Sequence, residues 1–319
     1  MNHHRVLDNG AHIRTFAPPP GGSAFDPLTA SADDLALHGF PARPENPELL
    51  ARFQSHFNRV KGRLRYIEPI FSVRPSLRMR PSAGPEGVAG PGSTNIWSGA
   101  VVYAPSGQSF RWVQAEWVVS NASAPVPGNA YTCICWVGLG NSSLCQAGTG
   151  CSVSQNGVPS FFLFHEWTPP GWVTINNLAV NAGDLIAVVI CTPSGAGSTS
   201  ATIFFSNTTT GYSTSYAISI PPGTNFLGDQ AEWIVERPII GGGPAQLPDY
   251  GQVFFSSANS GLAAGGVVNA GAVGGKNGPV NMVVNGATLS TGAVLGQTVV
   301  QCQYVSSEPH GNQSGLISV

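Results

Sequence analysis

The sequence predicts an all-β body behind a short, partly helical leader. Three observations carry this. From Asn95 onward, short apolar runs with period-2 alternation recur at regular spacing, punctuated by turn residues, the pattern of an antiparallel sandwich or barrel. After residue 62 no helical period of useful length appears. Only 9% of residues are charged, against 40 glycines and 26 prolines, so the surface is solvated by hydroxyls and amides. With 42% hydrophobic residues the chain is nonetheless rich enough to fold.

The elements follow in order. Residues 1–30 are polar, contain Pro18-Pro19-Pro20-Gly21-Gly22, and read as an extended arm. Ser31 followed by Asp33 and Asp34 is a capping-box-like start, and Gly39 a stop, for a short helix. Asn46-Pro47 places an N-cap before a first-turn proline. Leu49, Leu50, Phe53, Phe57 and Val60 then recur at helical spacing, predicting a second helix over 47–62. Residues 74–93 read as an Arg/Pro/Ser/Gly linker. The expected organisation is a leader over 1–92, a β body over 93–305, and a polar tail over 306–319 that frays.

Strands are expected at 96–103, 109–120, 131–139, 160–167, 172–175, 185–191, 201–206, 213–220, 231–235, 253–255 and in 267–304. In 109–120, Val113, Ala115, Trp117 and Val119 share one face; Trp112, Gln114, Glu116 and Val118 share the other. On the 231–235 strand and its continuation, Glu232, Ile234 and Glu236 share a face, an unusual concentration of acid in so uncharged a chain. That face is either solvated or catalytic.

Residues 1–90 carry 11 basic and 8 acidic residues; the remainder carries 3 and 8. A basic leader thus precedes an acidic body, and the few scattered cations exclude a nucleic-acid footprint. No apolar run is long enough for a membrane helix, and the first 30 residues lack the apolar core of a secretory signal. Six cysteines, all in the body, fit no zinc spacing and suggest disulfides and an oxidising, extracellular setting, with Cys145–Cys151 the best single pair. Asn121, Asn141, Asn207 and Asn312 are glycosylation acceptors in a glycosylating host.

The common catalytic signatures are missing: no G-x-S-x-G elbow, H-E-x-x-H, P-loop or dinucleotide fingerprint. A serine triad would rest on His165 alone, since the other body histidine, His310, is in the tail. What remains is carboxylates beside aromatics: Glu116, Glu166, Glu232 and Glu236, near Trp112, Trp117, Trp167 and Trp233. Aromatic surroundings disfavour a carboxylate's charged form, which suits a residue that both takes and gives a proton. A glycosidase-like pair and a peptidase glutamate both fit.

Six strings then occur in one order: Asn95-Ile-Trp97-Ser-Gly99, Trp136-Val-Gly-Leu-Gly140, Cys145-Gln146-Ala-Gly148, Phe164-His-Glu166-Trp167-Thr-Pro169, Asn207-Thr-Thr-Thr-Gly211 and Ala231-Glu-Trp-Ile-Val-Glu236. This order resembles the glutamic peptidases, the eqolisins, over about 93–257 with a looser continuation to 305. The leader resembles the region upstream of bacterial members. The resemblance implies a concanavalin-like antiparallel β-sandwich of two bent sheets, with protein or peptide substrate crossing the concave face. It implies a catalytic pair, Gln146 and Glu236, and a cleft lined by Trp136, Phe164, Glu166 and Glu232. Glu236 would take a proton from the attacking water and return it to the leaving amine. Gln146 would donate to the oxyanion from what reads as a Gly-rich loop. No metal or cofactor is called for.

The chain departs from the family where Phe162, Phe164 and Thr168 stand, and in Arg237-Pro238 after Glu236; Arg237 is a candidate to lower the pKa of its neighbour. The expected activity is that of an acid-active, secreted, monomeric endopeptidase whose leader inhibits it and is cut near 78–93. Two alternatives remain: a lectin-like binding sandwich without turnover, and a carboxylate-pair glycosidase.

Overall fold

The computed structural model describes residues 4–19, 25–74, 92–168 and 171–308. Strands run over His4–Val6 (β1), His12–Thr15 (β2), Arg65–Tyr66 (β3), Phe71–Arg74 (β4), Gly92–Thr94 (β5), Trp97–Tyr103 (β6), Phe110–Val118 (β7), Tyr131–Leu139 (β8), Cys145–Val153 (β9), Pro159–Trp167 (β10) and Trp172–Ile175 (β11). They continue over Leu185–Cys191 (β12), Ser200–Asn207 (β13), Tyr212–Ser219 (β14), Gln230–Glu236 (β15), Ile239–Ile240 (β16), Gly243–Pro244 (β17), Gln252–Leu262 (β18), Val267–Asn269 (β19), Gly278–Val284 (β20), Ala287–Leu295 (β21) and Val299–Tyr304 (β22). The helices are Ala32–Leu37 (α1) and Pro47–Val60 (α2).

Strand pairing traces one ladder that folds back on itself. Its first layer runs β4-β11-β10-β9-β8-β15-β6-β20, with β5 parallel to β20. β20, β21 and β22 turn the corner. The second layer runs β18-β7-β12-β13-β14-β2-β1. The all-β sandwich expected from the sequence is therefore present, almost wholly antiparallel.

Alternation puts the core between the layers. Val113, Ala115 and Trp117 of β7, Ile186, Val188 and Ile190 of β12, and Val137 and Leu139 of β8 are buried there, as are Cys133, Cys135, Cys145, Cys151 and Cys302. The Trp117 indole crosses the core to donate to Thr149 Oγ1 of β9 at 3.0 Å.

The expected Cys145–Cys151 bridge does not form; all six cysteines are free thiols. These two residues bound one extended segment of β9, which holds them about 20 Å apart at strand rise, far beyond disulfide reach. Burial pushes the thiols up, Cys145 and Cys151 alike. The expectation of an oxidising setting loses that support.

Both leader helices fall where their caps place them. Ser31 Oγ accepts from the Asp34 N–H, and Asn46 Oδ1 accepts from the N–H groups of Glu48 and Leu49. Phe53, Phe57 and Val60 of α2 pack with Leu35, Phe40 and Phe204 on the outer face of the second layer. The arm is not simply extended: β1 and β2 pair as a hairpin, and β2 joins β14. β4 pairs with β11 at the edge of the first layer, so the leader contributes strands to both layers. The expected cleavage region lies almost wholly in residues 75–91, outside the described residues. The start of the tail does not fray: Ser306 Oγ donates to the Thr288 carbonyl, and Glu308 pairs with Arg237.

Candidate active site

The outer face of the first layer collects the motif residues, and its register fixes their order. On β15, Glu232 is level with Val101 of β6 and Gly138 of β8; Ile234 with Gly99 and Trp136; Glu236 with Trp97 and Ile134. On β9, Gln146 is level with Gly138, and Gly148 with Trp136. On β10, Glu166 is level with Gln146, and Phe164 with Gly148. All six residues expected in the site therefore share one face. Gln146 lies two strands from Glu236 and level with Glu232, while Glu236 is four residues farther along.

Gln146 is on a strand, not in the loop expected from its glycines. Those glycines make room. A Cβ at Gly150 would come within 2.1 Å of the Phe162 ring, and one at Gly138 within 2.8 Å of Leu144 and the Trp136 ring. Small residues here let large rings lie flat over the backbone.

The side chains form two linked groups. Gln146 Nε2 donates to Glu166 Oε2 at 3.1 Å. Trp136 Nε1 donates to Glu236 Oε2 at 2.9 Å. Trp97 meets Trp136 edge-on at 5.4 Å between ring centres, and Phe164 stacks on Trp172 at 4.8 Å. Trp97 and Trp172 were not among the expected site residues; their alignment with the acids depends on register, which sequence spacing does not reveal.

Gln146, Glu232 and Glu236 are fully buried, and Glu166 is nearly so. Burial drives the Glu236 carboxyl well above the usual range. The Trp136 N–H opposes that, and the Trp97 indole adds a smaller pull without reaching hydrogen-bond geometry. A negative charge on Glu166, or on Glu232 when ionised, pushes the same way as burial. Glu232 is raised too, by burial first and then by Asp229; among the described residues neither of its oxygens has a hydrogen-bond partner.

Arg237 does not serve as the expected modulator. Its side chain is buried and pairs with Glu308 at 2.5 Å, and the influences on Glu236 come from burial, the two indoles and the two acids. His165 points into the core from the opposite face of β10. Its Nδ1 lies 2.8 Å from the Tyr216 hydroxyl, and burial lowers its pKa to about 3. Asn207 is also buried, donating to Asp184 at 2.9 Å, so it is closed to glycosylation.

Glu116, the remaining strand acid, faces away from this site. It meets Arg59 and His56 of α2 on the second layer. Burial alone would raise its pKa; the bonds and charges of His56 and Arg59 outweigh burial and hold it below the usual range.

Comparison with known proteins adds an independent line. The family described as the Peptidase A4 family matches residues 95–304. Aspergillopepsin-2 of Aspergillus niger is 27% identical over 186 residues, covering 51% of this chain and 63% of that protein's length. Scytalido-glutamic peptidase, solved with a transition state analog inhibitor, superposes with a TM-score of 0.56 at 22% identity, over 66% of this chain and 98% of that one. SCP-B, a member of the eqolisin family solved with the tripeptide Ala-Ile-His, gives 0.53 at 20% identity over the same shares. At these identities the two structures speak for the fold.

Proposed function

This chain belongs to the peptidase A4 family, and we propose on that basis that it is an endopeptidase working in acid with Gln146 and Glu236 as its catalytic pair. The observation that carries the reading is the shared face of β15, β8, β9 and β10, on which an amide and a carboxylate are each held by a partner. The substrate amide would lie along Ile234, Trp136 and Gly148, between the level of Gln146 and that of Glu236.

In this mechanism ionised Glu236 removes a proton from water as the water attacks the scissile carbonyl. The Trp136 N–H holds the carboxylate in place and favours its charged form. Gln146, oriented by Glu166, turns a side-chain N–H to the developing oxyanion; being uncharged, it donates at any pH. Protonated Glu236 then returns its proton to the leaving amine. With the site buried, Glu236 favours the protonated form. Opening it to solvent removes the largest cause of that and frees the base, so activation and opening are one event.

The leader is proposed as the inhibitor. Its last described strand, β4, ends at one edge of the catalytic layer, and β5 resumes at the other edge beside β20. The sequence between them holds most of the expected cleavage region. Cleavage there would release both ends. Work outside the cell as a monomer belongs to the same proposal, supported by a surface poor in titratable groups.

The test is acid incubation of the full chain followed by intact mass and casein hydrolysis, with Gln146→Ala and Glu236→Gln as controls. Both variants are expected to lose hydrolysis. Turnover by Glu236→Gln sinks the assignment.

A further inference from the structure

Glu232 is the one site acid that the proposed mechanism leaves without work. It occupies the same face of β15 as Glu236, is fully buried, and has no hydrogen bond to either oxygen among the described residues. Each neighbouring acid has a donor: Glu166 has Gln146, and Glu236 has Trp136. A buried ionised carboxylate without a donor is far too unfavourable to persist, so the group is a neutral acid. Asp229, close by, disfavours a second negative charge further.

A neutral carboxylic acid presents one O–H donor and one C=O acceptor on a single plane. That pair complements one residue of an extended peptide, whose own N–H and C=O point to the same side. The position suits such a contact. Glu232 is level with Gln146, and the strand between them carries only Gly138 at that level. A chain passing the oxyanion donor therefore runs beside Glu232 one step from the scissile bond.

We propose that Glu232 is a main-chain recognition residue, gripping one extended residue of the bound peptide next to the scissile bond, its O–H donating to that residue's C=O and its C=O accepting from that residue's N–H. This rests on the Gln146/Glu236 reading of the site and deepens it. The substrate class it selects is an extended peptide with an unmodified amide at that position, whatever the side chain there.

The experiment uses the full chain after acid incubation, with a fluorogenic peptide and a set of analogues N-methylated one amide at a time. Glu232→Gln keeps a neutral donor and acceptor in the same shape. It is expected to retain kcat/KM within about threefold, with an unchanged pH profile. Glu232→Leu is expected to fold, since it removes an orphaned buried acid, and to lose about tenfold or more in kcat/KM, mostly as a rise in KM. One N-methylation should impair the wild type and Glu232→Gln strongly and Glu232→Leu little. Wild-type kcat/KM in Glu232→Leu overturns the proposal, as does the same N-methyl penalty in all three proteins. Inactive Glu232→Gln overturns it by showing that the group's own proton is transferred. If Glu236→Gln is active in the same assay, it is the underlying site reading that fails.

Discussion

Replacing Glu116 with Gln should loosen the leader at neutral pH and abolish its response to acid. Glu116 is the acid of the second layer that meets α2. His56 and Arg59 face it from the helix; Ala187 and Ser256, its neighbours on β12 and β18, carry no charge, and Arg52 is engaged with Glu48 and Asn259. The Arg59 side chain is 36% exposed, so water screens its share to about 0.5–1 kcal/mol. The His56 ring nitrogen, 3.8 Å away, adds a fraction of that. The sum, about 1 kcal/mol, is roughly a fivefold change in helix docking. Because the folded pKa of Glu116 is depressed, this contribution is present above the unfolded value near 4.5 and is lost as pH falls through the folded value. Hydrogen exchange of the α2 amides at pH 7 and on descent below 4.5 measures it. Wild-type protection should fall with acid; Glu116→Gln should start about fivefold lower and change less. If the variant keeps the wild-type acid response, Glu116 is not the release group. Among the described residues, the ion pairs that join leader to body are those of His56 and Arg59 with Glu116.

The site acids respond with the opposite sign. Glu232 has its folded pKa raised, so its contribution to stability is full below about 4.5 and declines as pH rises toward the folded value. Thermal melts should show Glu232→Gln flattening that decline; an unchanged slope refutes its neutral form. Trp136→Phe removes the N–H from Glu236, which raises its pKa further, moves the acidic limb of the kcat/KM profile to higher pH, and reduces kcat/KM about tenfold or more. An unshifted limb would mean that Trp136 is only packing. Gly150→Val should unfold the site face, because its side chain meets the Phe162 ring; a pair with Phe162→Ala should recover part of the loss in a melting experiment.

Much of the fold was legible because local chemistry agreed with the tertiary result. Asn46-Pro47 and the Leu49, Phe53, Phe57 spacing mark α2 because a cap and an apolar stripe are local properties. The alternation of β7 separates Trp117 in the core from Glu116 under the helix for the same reason. The hairpin of β1 and β2 was missed although Asn9-Gly10 is a hairpin turn signal, with Gly10 at φ +81°. Only two short strands flank it, and their stability comes from pairing with β14. Gln146 and Glu236 were found through ordered motifs. Their alignment, with Gln146 level with Glu232, was not, because register is a property of the assembled layer. The cysteines misled because alternate core-facing positions suit a small apolar thiol as well as a bridge.

The most direct measurement is casein hydrolysis by the full chain in acid beside its Glu236→Gln variant, with intact mass recorded through the incubation. The catalytic pair predicts turnover and a mass loss matching cleavage within 78–93 in the wild type, and neither in the variant. Equal hydrolysis by the two proteins would contradict it.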